Sequence, residues 1–259
     1  MNWKKKIHIL KERYLYSLVF FIVLFCIWQW STKYLSIPQY ILPSPSDIMA
    51  TAIKLKSILF GHFLVTLIEV LLGFVIGSIV GFFLAIALFS FSILYKTLYP
   101  LMVAIQSIPK TALAPLFIIW FGFGMCPKIL IATLIVLFPV LVNMLKGLGS
   151  VNPELLDFMK TLHASKWQIL LTIQIPASIP YLFASLKVSV GFAVVGAIIG
   201  EFVGANKGLG YIIMLSSVDL DTSRMFAALL LLSIIGLSLF TVVSIAERII
   251  LPWHIKGDK

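Results

Sequence analysis

The chain has 259 residues, of which 61% are hydrophobic and only 12% are charged, and its formal net charge is +10. A soluble domain usually has about 25% charged residues, so this composition excludes an ordinary soluble protein and favours a membrane protein. The excess of Lys and Arg is better explained by membrane topology and anionic lipid than by nucleic-acid binding, so no nucleic-acid partner is predicted.

Six apolar segments reach the length of roughly 20 residues that a helix needs to cross a bilayer. They cover about 14–31, 62–90, 98–121, 129–145, 178–200 and 225–246. Their residues are continuously apolar rather than alternating, which excludes a β-barrel. The sequence therefore predicts an all-α, polytopic membrane protein with six transmembrane helices in one domain, 1–259. We expect the first segment to be an uncleaved helix rather than a signal peptide, because its apolar run is long and no small-residue cleavage site follows.

The distribution of Lys and Arg predicts the orientation of these helices. With the start of the chain inside, basic residues favour the cytoplasmic side by two to one. Because cytoplasmic loops carry the excess of Lys and Arg, both termini and the loop 151–176 are predicted to be cytoplasmic.

An external segment, 37–56, follows the first predicted span. Pro43 and Pro45 prevent a helix at its centre, and Ser46 or Asp47 is predicted to cap a short amphipathic helix after them. The second span then carries Gly73, Gly77 and Gly81 at a spacing of four residues. Such a stripe of small residues predicts close packing between helices, and lining a pathway is the alternative interpretation.

The third predicted span is interrupted by proline, since Pro100, Pro109 and Pro115 all lie within it. Each proline removes a helix hydrogen bond and bends the helix, and such bends are tolerated where they line a cavity. Four polar residues gather at the middle proline: Gln106, Ser107, Lys110 and Thr111. We predict that they line a pathway through the membrane. Satisfying the polar groups that the bend frees is the alternative.

The fifth predicted span, about 178–200, is followed at its external edge by Glu201, which is a further candidate for the pathway. Gly204, Gly208 and Gly210 follow and favour an irregular backbone. We expect a short re-entrant or external element here.

Common sequence motifs of enzymatic chemistry are absent from the chain. The sequence contains no GxxxxGK[ST], HExxH or GxSxG pattern, its four histidines are scattered, and Cys26 and Cys126 lie on separate segments. We therefore predict no catalytic residue, no cofactor and no metal or disulfide site. Glu69, Lys110 and Lys187 are the ionisable residues within spans, and they form no series on one helix.

The loop 151–176 is amphipathic and separates two apolar spans. Asn152 and Pro153 predict the start of a first helix, His163 and Ala164 a turn, and the segment from Ser165 to Gln168 a capping box that starts a second helix. Its apolar residues recur at helical spacing. We predict that this loop docks into a partner protein, and a helix lying on the lipid surface is the alternative.

These features together resemble the membrane permease subunit of bacterial ATP-binding-cassette (ABC) importers, in the subgroup for nitrate, sulfonate, taurine and pyrimidine-type solutes. The loop is similar to the coupling loop of that family. Further similar stretches are 42–45 (LPSP), 106–115 (QSIPKTALAP), 201–205 (EFVGA), 208–211 (GLGY) and 251–253 (LPW). The resemblance covers nearly the whole chain.

The resemblance implies a permease of the bacterial cytoplasmic (inner) membrane that works as a homodimer with two cytoplasmic ATP-binding subunits and an external solute-binding protein. ATP hydrolysis would then reside on the partner, so the chain itself is not expected to be an enzyme. The residues that the resemblance assigns to coupling with the ATPase are Glu154, Leu155, Asp157, Leu162, His163, Ala164, Ser165 and Trp167. An ion- or proton-coupled carrier and a membrane scaffold are the alternative classes.

The chain departs from this family at two positions. His163 occupies the place of the loop's usual glycine, and Glu69 lies where an arginine is common. A side chain at a left-handed turn position costs about 1 kcal/mol, so His163 predicts an atypical turn.

Overall fold

A computed structural model of the protein describes the backbone of residues 3–252 and the side chains of residues 15–252 except residue 17. Within this part every regular element is a helix, which confirms the all-α prediction. The helices are α1 (Trp3–Tyr34), α2 (Pro45–Lys54), α3 (Lys56–Ser90), α4 (Ser92–Gln106), α5 (Lys110–Phe121), α6 (Met125–Leu148), α7 (Pro153–Thr161), α8 (Lys166–Ile169), α9 (Ile175–Gly204), α10 (Leu209–Val218) and α11 (Thr222–Ile250). A π-helical turn, Leu170–Gln174, joins α8 to α9.

Four helical stretches among the described residues are long and apolar enough to cross a membrane: Lys56–Ser90, Met125–Leu148, Lys166–Gly204 and Thr222–Ile250. The pair α4 and α5 makes a fifth if it is counted as one span. The apolar described part of α1, Leu18–Tyr34, is shorter than the four spans just named and is not counted among them. The protein is therefore a multi-pass membrane protein, while the predicted total of six transmembrane helices is not confirmed.

The third predicted span is broken rather than merely kinked. The axes of α4 and α5 are bent by 101° at the short break between them. Pro109 lies directly before α5, where its missing N–H leaves no helix hydrogen bond unmade. Pro100 and Pro115 lie inside helices, so only the middle proline ends one.

The chain packs into two compact units, which are described separately. The first comprises Met1–Phe60 and Ile212–Leu230, and the second comprises Gly61–Tyr211 and Leu231–Lys259. The organisation as a single permease domain stays a prediction. The basic side chains near the two ends of the chain, such as Lys4 and Lys256, and the matched Trp253 lie outside the described side chains.

In the first unit, hydrogen bonds fix the segment around α2. Ser44, not Ser46 or Asp47 as predicted, is the N-cap of α2, and Pro45 is its first residue. Asp47, at the third position of α2, completes a capping box, because its carboxylate accepts a hydrogen bond from Ser44. The Gln29 side chain of α1 binds Ser46 through both its oxygen and its nitrogen, at 3.0 and 2.9 Å.

The core of the second unit is formed by helices that approach each other through glycine. A Cβ atom added at Gly77 of α3 would lie 2.7 Å from the Thr133 carbonyl oxygen of α6, and one added at Gly81 would lie 2.8 Å from that of Leu137. On the other side of α6, a Cβ at Gly196 of α9 would lie 2.5 Å from the Ala132 Cα atom. Real side chains do not tolerate such distances, so α6 is held between α3 and α9 by residues without side chains.

Candidate coupling loop and membrane pathway

The loop between α6 and α9 begins with a capped helix. The Asn152 side-chain oxygen accepts a hydrogen bond from the Glu154 N–H at 3.0 Å, and Pro153 opens α7. Each of these features satisfies or removes an N–H group that has no partner at a helix start. The sequence pattern was sufficient to predict them.

The turn after α7 is a Schellman motif with a histidine at its left-handed position. His163 has φ +57°. Its N–H donates to the Lys160 carbonyl at 2.9 Å, and the Ala164 N–H donates to the Met159 carbonyl at 3.1 Å. This pair of bonds defines the motif, in which glycine is the usual residue at the position of His163.

The second loop helix follows from a capping box. The Ser165 hydroxyl accepts from the Gln168 N–H at 3.3 Å, and the Gln168 side chain accepts from the Ser165 N–H at 2.7 Å. The π-helical turn then leads into α9, with Thr172 bound back to the Gln168 carbonyl at 2.6 Å. Both loop helices therefore have fixed ends, so the loop is held in shape by local bonds.

Apolar side chains on this loop are exposed. Leu155 is 43% exposed, Phe158 58%, Leu162 60% and Trp167 56%. Of the other coupling candidates, Glu154, Asp157, His163 and Ser165 are exposed and Ala164 is half-buried. A groove of about 560 Å³ lies beside them, with walls that include Phe89, Leu156 and Lys166. The loop therefore offers shaped, partly apolar surface that the second unit itself does not cover.

The break between α4 and α5 opens onto a cavity of about 550 Å³. Three of the predicted pathway residues, Gln106, Lys110 and Thr111, line it together with apolar residues of α6 and α9 such as Phe138 and Phe192. Ser107 does not line the cavity, and its hydroxyl binds the Val103 carbonyl at 3.3 Å.

The Lys110 ammonium has a structural partner at the same break. It donates to the carbonyl of Gln106 at 2.5 Å. Lys110 therefore satisfies a carbonyl at the end of α4, which is the alternative that the sequence left open, while it also lines the cavity.

Glu201 lies elsewhere, in a buried cluster that the sequence did not predict. It is fully buried at the end of α9, with Glu69 of α3 and Lys128 of α6 as neighbours. Lys128 is only 5% exposed, and its Nζ atom lies 2.7 Å from Glu69 Oε1. The ionisable character of Glu69 was visible in the sequence, but the meeting of three helices that pairs it with Lys128 was not.

A second intramembrane lysine is also paired. Lys187 of α9 forms an ion pair with Glu247 of α11, and both side chains are partly buried. Lys187 is therefore bound within the second unit and does not line the cavity at Gln106.

Comparison with known proteins identifies the family. Residues 73–255 match the family described as binding-protein-dependent transport system inner membrane component. The chain belongs to this family. The resemblance inferred from the sequence is thereby confirmed, and the chain is a transmembrane permease subunit of an ABC importer.

Individual relatives agree over most of their length. The formylaminopyrimidine transport permease protein ThiX of Halalkalibacterium halodurans is 35% identical over 92% of this chain and 95% of its own. The riboflavin transport system permease protein RibX of Chloroflexus aurantiacus is 34% identical over 90% of this chain and 87% of its own. The taurine transport system permease protein TauC of Escherichia coli is 26% identical over 86% and 82%.

Solved structures share the fold. A chain from inward-facing structures of the MetNI methionine ABC transporter superimposes with a TM-score of 0.66 at 20% identity. The match covers 76% of this chain and 98% of the other.

Proposed function

We propose that this permease subunit forms a homodimer in the bacterial inner membrane, with both termini in the cytoplasm. Two ATP-binding subunits bind its loop 151–176 from the cytoplasm, and a solute-binding protein delivers a small solute from outside. ATP hydrolysis resides on those partners. ATP-driven closure of their pair moves the loop helices, and these transmit the motion to the membrane helices.

The observation that supports this proposal best is the row of exposed apolar side chains on a loop whose ends are capped. Leu155, Phe158, Leu162 and Trp167 are all at least 43% exposed. Exposed apolar surface on a shaped element is typical of an interaction site. Capped helices lose little conformational entropy on binding, which favours docking. A rigid loop also transmits motion better than a flexible one.

We place the solute pathway at the break between α4 and α5. Gln106, Lys110 and Thr111 provide polar groups in a cavity that is otherwise mainly apolar. Ser107 lies at the break and contributes to the shape of the bend rather than to the wall of the cavity. Glu201 stays a predicted pathway residue, although its oxygens are engaged within the buried cluster.

For the solute we propose a small nitrogen heterocycle in preference to a sulfonate. The relatives named for formylaminopyrimidine and riboflavin are 35% and 34% identical, whereas those named for aliphatic sulfonates and for taurine are 30% and 26% identical. A mainly apolar cavity with a few polar groups suits a flat, hydrogen-bonding ring. Competition of unlabelled pyrimidines and of taurine for uptake of a labelled pyrimidine by the assembled transporter tests this choice, and stronger competition by taurine would contradict it.

The docking role is tested by replacing Leu155 and Leu162 together with Asp. Burying two charges against the partner costs about 2 kcal/mol or more, so ATPase binding and transport should be lost while membrane insertion is retained. Val218→Asp is the control, since Val218 is 78% exposed and is predicted to lie on the other side of the membrane. Normal ATPase binding by the double variant would show that the loop is not the docking site.

A further inference from the structure

Three ionisable side chains from three helices meet inside the second unit. Glu69, Lys128 and Glu201 are 0%, 5% and 0% exposed. Lys128 is bound to Glu69 Oε1, and the carboxyl groups of Glu69 and Glu201 adjoin one another. An unpaired charge in this cluster would be strongly destabilising, because removing a charge from water costs several kcal/mol of free energy unless an opposite charge pairs with it.

The Glu201 carboxylate holds the start of α10. Its Oε1 atom accepts from the Thr66 hydroxyl at 2.6 Å, and its Oε2 atom accepts from the Gly210 N–H. The Leu209 N–H donates to Thr66 Oγ1 at 2.7 Å. Side chains of α3 and α9 thereby satisfy N–H groups in the first turn of α10, and a negative charge on Glu201 suits that position.

This arrangement leaves one charge and one oxygen unaccounted for. Two carboxyl groups face one ammonium group, so full ionisation would bury an excess negative charge. Among the described residues, Glu69 Oε2 is buried and has no hydrogen-bond partner. A proton on that oxygen removes the excess charge and gives Glu69 a donor directed at the neighbouring Glu201.

The other titratable groups around the cluster do not supply the missing positive charge. His62 of α3 accepts the Gly208 N–H through Nδ1 at 2.9 Å, so that nitrogen carries no proton. Tyr211 of α10 stacks on the His62 ring, with the ring centroids 6.0 Å apart. Lys207, in the loop before α10, offers its backbone carbonyl to Lys128 at 3.4 Å, while its side chain is outside the cluster and exposed.

We propose that the cluster of Glu69, Lys128 and Glu201 binds one proton, shared by the two carboxyl groups, and that this proton keeps α10 anchored. Loss of the proton leaves two adjacent carboxylates with one ammonium group. Their repulsion moves Glu201 away from Gly210 and frees the start of α10. The inference needs no assumption about the partner subunits, the loop 151–176 or the transported solute.

Infrared spectroscopy of the permease in an ester-free detergent such as dodecyl maltoside tests for the proton directly, because a protonated carboxyl group has a carbonyl band separate from the bands of carboxylates and no lipid ester absorbs there. The wild-type protein should show this band at neutral pH. Glu69→Gln and Glu201→Gln should each remove it, since either change leaves one acid with one base. Lys128→Met should enlarge it, because both acids must then be protonated. Glu247→Gln is the control, at a partly buried acid outside the cluster, and should leave the band unchanged.

A second measurement tests the anchor. Leu209 is 0% exposed and Asn206 is exposed, so single cysteines at these positions, without Cys26 and Cys126, report opening and general reactivity. The anchored state binds one proton more than the opened state, so the opened fraction should rise about tenfold per pH unit. The labelling rate at Leu209→Cys divided by that at Asn206→Cys should follow this rise, and Glu69→Gln should abolish it.

Glu69→Gln keeps an oxygen for Lys128 and replaces the acid O–H by an amide N–H, so this variant should fold. A wild-type spectrum without the acid band overturns the proposal, as does a band that survives in both Glu69→Gln and Glu201→Gln. A labelling ratio in the wild-type protein that does not change with pH overturns the anchoring role.

Discussion

His163 has an unusual backbone conformation, because its φ of +57° lies in the left-handed region, which glycine adopts without cost and other residues rarely adopt. The backbone hydrogen bonds donated by His163 and Ala164 fix this geometry whatever side chain stands at position 163. The histidine is therefore either tolerated at a small cost in backbone strain or kept for a contact with the ATP-binding subunit.

Substitutions at His163 separate these two roles. If the turn decides, His163→Gly should be neutral or stabilise the protein by about 1 kcal/mol at most, because it removes strain while adding flexibility to the unfolded chain. His163→Val should be destabilising, since β-branched residues resist positive φ. Thermal unfolding and affinity for the ATP-binding subunit measure both effects. Equal loss of affinity in the two variants would instead assign a direct contact to the imidazole.

At the scale of helices, local signals predicted more than tertiary ones. The caps at Asn152 and Ser165 depend on residues within four positions of each other, so the sequence contains the whole cause. Local sequence does not decide which of the three prolines breaks the third span. Pro100 and Pro115 are accommodated within helices, whereas Pro109 lies at the break. The pairing of Lys128 with Glu69 joins residues 59 positions apart, and only the packing of α6 on α3 brings them together.

The glycine stripe on α3 supports a prediction about that packing. Gly77→Val should destabilise the protein by about 1–3 kcal/mol, because its side chain would meet the Thr133 carbonyl and Val136 and push α6 away. Gly191→Val is the control, since a Cβ there meets nothing within 4 Å. Thermal unfolding in detergent compares the two. Similar melting temperatures for both variants would contradict the close approach of α3 and α6.

For the whole molecule, the composition predicted a helical membrane protein, and the motifs predicted the permease family. The number of spans is less well determined by sequence, because a long apolar segment is equally compatible with a straight helix and with the broken pair α4 and α5. The six predicted spans compare with four clear ones and a fifth in two pieces among the described residues.

Topology is tested by single cysteines at Lys160 and Asp221 in a protein without Cys26 and Cys126. One transmembrane stretch, Lys166–Gly204, separates the two positions. A membrane-impermeant thiol reagent should therefore label Asp221→Cys from outside intact cells and Lys160→Cys only from inside. Labelling of both from the same side would contradict the predicted orientation.

The central claim is that this permease moves solute by coupling to a partner's ATP hydrolysis. The most direct measurement is solute uptake into vesicles that contain the permease and its ATP-binding subunits, with the binding protein added on the outer side. We predict uptake that requires ATP and all three components, and that disappears with Leu155→Asp and Leu162→Asp together. Uptake by the permease alone, driven by a proton or sodium gradient without ATP, would contradict the account.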